Sequence, residues 1–139
     1  MLLTAPVLVT PDYQKPFKMH VDASDYEAGA VLLQESEQKI DHPISYFSQN
    51  FDSHQRNYST CEKETLALIL ALRYFDFYLS AARFPIEVLT DHNPLVFLSK
   101  MRDRSQRLLR WSVMLQEYNL EVFHIRGVEN VIADTLSRK

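Results

Sequence analysis

Glycine is almost missing from this 139-residue chain, with two in all, against roughly 7% in ordinary proteins. Few positions can therefore take left-handed backbone at no cost, and Gly29 and Gly127 stand out. Cysteine is reduced to Cys61, which excludes an internal disulfide and a cysteine-rich metal centre. The fold must hold by packing, in a reducing compartment, with Cys61 as a small core residue. No apolar run approaches the ~20 residues that span a bilayer, and the first residues lack a basic segment leading into a sustained apolar one. The sequence reads as a soluble, unsecreted protein with no membrane partner. Basic excess is missing too: the formal net charge is −3, which argues weakly against a general nucleic-acid binder.

What is present is enough apolar material, 46% of residues, for one domain. Residues 1–16, punctuated by Pro6, Pro11 and Pro16, read as an N-terminal tether, and residues 17–139 as the domain. From Phe17, apolar Phe17, Met19 and Val21 alternate with Lys18, His20 and Asp22, the period of a half-buried strand ending on an acid. "AGAVLLQ" and "ISYFSQ" follow as strands around the polar turn "SEQKIDHP", which predicts an antiparallel meander. "YSTCEKETLALILALRYFDFYL" is the main helix, opened by a capping box of Ser59 and Glu62. "PIEVLTD" is a strand, "NPLVFLSK" and "SQRLLRWSVMLQEY" are helices, "LEVFHI" is the fifth strand and "ENVIADTLSR" the last helix. The expected fold is α/β: a mixed five-stranded sheet flanked by helices on both faces.

The main helix carries two acids with different surroundings. At about 100° per residue, Glu62 lies near Thr65, Arg73 and Asp76 on the polar face or its border, whereas Glu64 lies near Leu68, Ala71 and Phe75. A buried carboxylate needs a partner or a metal, so Glu64 calls for an explanation that Glu62 does not. Asp22 and Asp91 each end a strand, where ligands of crossover-connected sheets commonly sit. Each has a local alternative in a turn or a helix start, and Asp134 has one as complement to a helix N-terminus.

The motifs "FKMHVDASDYEAGAVLLQ", "PISYFSQNFDSHQRNYSTCEKETLAL", "VLTDHNPL", "RLLRW" and "VENVIADTLSR" resemble the ribonuclease H domain of gypsy-type LTR retrotransposon reverse transcriptases. The resemblance implies a ribonuclease H-like fold, three antiparallel strands then two parallel, and an endonuclease that hydrolyses the RNA strand of RNA/DNA hybrids. It also implies four catalytic, metal-binding carboxylates at Asp22, Glu64, Asp91 and Asp134, holding two Mg²⁺ ions, with Mn²⁺ as a substitute; hard oxygen donors suit both. Partners implied are an upstream polymerase domain and a downstream integrase in a polyprotein. A monomer is expected for the isolated domain, in the cytoplasm or a virus-like particle, or in the nucleus for a host-captured copy.

Substrate contacts are expected from Ser24, Tyr26 and Ser48 near the early strands and from a basic strip of Lys100, Arg102, Arg104 and Arg107, continued by Arg110. A solvated helix face explains that strip equally well. Setting aside the four candidate acids turns the net charge from −3 to +1. Trp111, ringed by Leu108, Leu109 and Leu115, reads as core. No histidine is carried over: the link "RGVEN" lacks one, His124 belongs to the preceding strand pattern, and His92 reads as local turn structure. Two rivals remain, a non-catalytic binding module of the same fold and a strand-transfer enzyme. The latter class usually orders its acids Asp, Asp, Glu, whereas here the Glu is second.

Overall fold

The computed structural model describes residues 8–91 and 106–124. Strands β1 (Lys18–Ala23), β2 (Glu27–Glu35), β3 (Asp41–Asn50), β4 (Ile86–Thr90) and β5 (Leu120–His124) form one sheet ordered β3-β2-β1-β4-β5. β1 to β3 run antiparallel, while β4 lies parallel to β1 and β5 parallel to β4. Helices α1 (Thr60–Tyr74), α2 (Asp76–Leu79) and α3 (Gln106–Gln116) complete the described elements. The expected mixed sheet is therefore present. The expected helix over 93–100, the closing helix, Gly127 and the link before it lie outside the described residues.

β1 is the central strand, and this changes one expectation. Phe17, Met19 and Val21 enter the core as the alternation requires, but His20 and Asp22 on the other side are buried as well. A central strand with both neighbours in place has little access to water from either face. β2 shows the same: Ala28, Ala30 and Leu32 join the core with α1, while Val31 is fully buried outside that cluster.

β3 starts at Asp41, three residues before the strand read from "ISYFSQ", and so includes Pro43. The strand lies at the edge, and its register with β2 shifts between Leu32 and Leu33, leaving Ile44 as an extra residue. An edge and a bulge are where a residue without an N–H costs least. In the turn before it, Lys39 holds φ 62° with no glycine available.

The proline-rich lead-in lies against the sheet from Val9 on. Its Val9 N–H donates to the Pro43 carbonyl at 3.0 Å, and the Asp12 N–H to Gln34 Oε1 at 2.7 Å. Gln34 Nε2 donates in return to the Asp12 and Lys15 carbonyls, and Tyr13 packs edge-on against Phe17.

α1 is stopped earlier than its apolar run suggests. Both capping-box bonds form, Glu62 N–H to Ser59 Oγ and Ser59 N–H to Glu62 Oε1. At its other end Phe75, with φ −89° and ψ 6°, separates α1 from α2 while its ring stays fully buried. Cys61 is half-buried rather than a core residue, and its carbonyl accepts from the buried Thr65 hydroxyl. Tyr118 donates to Asp76 at 2.7 Å, and burial together with that bond pushes its phenol up to about 12.

Candidate functional site

Parallel pairing of β1 and β4 fixes where two of the acids meet. The register runs Met19 to Val88 and His20 to Leu89, so continuing it in step sets Asp22 level with Asp91. Adjacent strands are about 4.8 Å apart, which makes the two residues neighbours at the C-terminal end of the parallel strands. Asp22 is 5% exposed, and Oδ1 of Asp91 is buried with no hydrogen-bond donor among the described residues. A buried carboxylate oxygen calls for a hydrogen-bond donor or a cation as its counterpart.

The third acid comes from α1. Glu64 is 6% exposed and lines an open cleft of about 420 Å³ with Ala23, Ser24, Asp25, Tyr26, Thr60 and Lys63. The first turns of α1 thus face the end of β1, where Glu64 shares the cleft with Ala23 and Ser24, the residues that follow Asp22. Gly29 pairs directly with Asp22 on one side and sits opposite Ser48 on the other. Its φ is not positive, so backbone freedom is not its use. What sets it apart is the missing Cβ in the row between Asp22 and the exposed Ser48.

These residues suit a divalent metal in donor chemistry, since each offers hard carboxylate oxygens. No group of three or more His, Cys, Asp or Glu side chains stands in metal-holding geometry among the described residues. Asp134, the fourth expected ligand, lies outside them. The fit rests on the level placement of Asp22 and Asp91 and on their carboxylate chemistry.

Glu62, two residues from Glu64, is separately engaged. It accepts from Ser59 N–H and from the Arg107 guanidinium of α3, which also lies 4.2 Å over the Tyr58 ring and 5.6 Å over Trp111. Partial burial pushes the Glu62 carboxyl up, but the bonds from Ser59 and Arg107 outweigh it and hold the group below its ordinary 4.5. A folded value below the unfolded one gives stability that is complete above the unfolded value and lost as pH falls through the folded one. Urea midpoints should therefore drop more for the natural chain than for Glu62→Gln between about pH 6 and about pH 3.5. Equal drops would mean that this carboxylate does not contribute.

The expected substrate contacts divide. Ser24 serves the β1–β2 turn, its Oγ accepting from Tyr26 and Glu27 N–H groups, while it borders the cleft. Tyr26 is 65% exposed beside that cleft, with Arg56 over its ring at 5.5 Å. Arg107 is committed to Glu62, Tyr58 and Trp111, so it ties α3 to the start of α1, and Trp111 is core as expected. Arg110 is exposed; Lys100, Arg102 and Arg104 lie outside the described residues.

Lys63 was not among the expected residues, yet it is buried and lines the cleft. The signal was available, because at 100° per residue it sits about 20° from Leu70 and 40° from Ala67, an apolar neighbourhood for a lysine.

Residues 12–118 match the family described as the RNase H-like domain found in reverse transcriptase. A Retrovirus-related Pol polyprotein from transposon 297 of Drosophila melanogaster is 40% identical over 138 residues, 99% of this chain and 12% of that protein. This chain thus spans a small fraction of the relative's length. Among solved structures, the foamy viral protease-reverse transcriptase in complex with RNA/DNA hybrid aligns with TM-score 0.69 and 21% identity, over 86% of this chain and 16% of that one. LC11-RNase H1 in complex with RNA/DNA hybrid aligns with TM-score 0.58 and 18% identity, over 86% of this chain and 92% of that one. The likeness to both structures is one of fold.

Proposed function

Because this chain belongs to the family of RNase H-like domains found in reverse transcriptases, we propose that it is an endonuclease for the RNA strand of RNA/DNA hybrids, working as one domain of a Pol polyprotein between polymerase and integrase. The observation that carries the proposal is the level placement of Asp22 and Asp91, with a buried Asp91 oxygen that meets no donor among the described residues.

In this proposal Asp22, Glu64 and Asp91, joined by Asp134, hold two Mg²⁺ or Mn²⁺ ions. Bound there, the ions would supply charge neutralisation for a phosphodiester and an activated water. The chain's own part is to present four carboxylates from separate elements without letting them drift. β1 and β4 fix two of them through sheet register, and α1 fixes Glu64 through its capped, buried first turns. Ordered carboxylates spare the reorganisation that loose ones would require during reaction. Tyr26 borders the cleft that Glu64 lines, and Ser48 is exposed on β3, two strands across from Asp22. Their hydroxyls suit the 2′-hydroxyls of an RNA strand, displayed in a wide, shallow minor groove.

The test is a labelled hybrid incubated with the chain and Mg²⁺ or Mn²⁺. The RNA strand should be cut and the DNA strand left whole. A folded chain that leaves RNA intact with either ion, while still binding the hybrid, would replace the enzyme by a non-catalytic binding module.

A further inference from the structure

The cleft beside the acids holds a lysine in an unusual state. The Lys63 side chain is 10% exposed, yet its one ion-pair partner among the described residues is Asp25, 84% exposed and 3.7 Å away. That distance is beyond hydrogen-bond reach, and the ammonium nitrogen is not among the buried polar atoms that lack a partner, so the stem is buried while the charged end reaches the cleft. An exposed carboxylate in water holds such an ammonium only weakly. Asp25 stands at the mouth of an open cleft, so it can swing away at little cost. The cleft also meets the first turn of α1, whose N-terminal dipole favours an anion, and Thr60 adds a hydroxyl to its lining.

From this geometry we propose that Lys63 is a substrate-binding residue that receives a backbone phosphate of the nucleic acid, with Asp25 occupying the ammonium until the strand arrives. The inference rests on the hybrid-substrate reading above and adds a contact to it. A phosphate oxygen that displaces Asp25 would accept the hydrogen bonds that the carboxylate does not reach, and charge-assisted bonds of that kind are the strong ones. Asp25 returns to water, where its charge is well solvated. The exchange works with Glu64 next in sequence, since a lysine there also offsets the repulsion between the incoming phosphate and the acids.

Binding of a fluorescent hybrid, measured across a salt series in an Asp91→Asn background, tests the proposal without consuming substrate. Lys63→Met keeps the aliphatic stem and should weaken binding about tenfold at low salt, with the slope of log K against log salt shallower by about 0.9. Lys63→Arg should retain the slope, and Asp25→Asn should tighten binding by releasing the ammonium. Neutral methylphosphonate linkages placed in one strand at a time identify the strand: the sensitive position should lose its effect in Lys63→Met. An unchanged slope in Lys63→Met overturns the proposal, as does equal weakening by Met and Arg, which would mark a structural role. A Lys63-dependent slope in a chain that never cleaves would remove the nuclease function and keep the phosphate contact. No binding of the hybrid at all would remove both.

Discussion

Asp91→Asn should lower divalent-metal-dependent cleavage of the RNA strand by about a thousandfold or more, which corresponds to about 4 kcal/mol of lost transition-state stabilisation. The substitution keeps shape and removes charge. Asn offers one neutral carbonyl oxygen where the carboxylate offers two charged ones, so affinity for a hard cation falls steeply. Folding should survive, because Oδ1 of Asp91 makes no hydrogen bond among the described residues that the change would break. Asp22 stands level with it across β1 and β4, and removing one of two neighbouring negative charges relieves repulsion in the metal-free chain. Single-turnover rates on a hybrid, with thermal melts as the folding control, provide the comparison. Cleavage within tenfold of the natural chain would show that Asp91 is not a metal ligand.

The second large effect concerns stability. Phe75→Ala should cost about 3–5 kcal/mol, the usual range for an aromatic truncated in a core. Its ring is fully buried, edge-on to Phe47 at 6.4 Å and to Tyr74 at 5.3 Å, at the point where α1 gives way to α2. Domains of this size are stable by only about 5–15 kcal/mol, so the loss should be plain in a urea denaturation midpoint. Phe77, two residues on and 81% exposed, is the control, and its truncation should change stability by no more than about 0.5 kcal/mol. Similar losses at both positions would contradict the packing described here.

The mixed sheet follows from patterns visible in the sequence: period two through Phe17, Met19 and Val21, a capped helix after three strands, and strands alternating with helices thereafter; the spatial order of the strands came only with the structure. The separation of Glu64 from Glu62 was legible for the same reason, since helical periodicity fixes which carboxylate turns inward. Asp22 and Asp91 were readable as strand-ending acids. Their level placement was not, because register between strands remote in sequence is set by packing.

Local chemistry misled in two places. Pro43 argued for a turn, and only the edge position and the bulge make it tolerable in β3. The helical pattern ran through Phe75 without punctuation by Gly or Pro, so the break there answers to tertiary packing. The basic strip illustrates a limit of charge counting. Arg107 looked like a contact for phosphate, but Glu62 and two aromatic faces already claim it. Conversely, Lys63 drew no reading from the sequence, although its helical position beside Ala67 and Leu70 was visible there; burial and the cleft gave it a setting.

The seam between the lead-in and the sheet has a mechanical consequence. Val9 is bonded to the edge strand and Asp12 to Gln34 of β2, a strand buried along most of its length. Any rotation of this domain against a preceding one, in proteins where it is one of several, must pivot on the N-terminal side of Val9. The lead-in therefore offers fewer free joints ahead of the sheet than three prolines suggest.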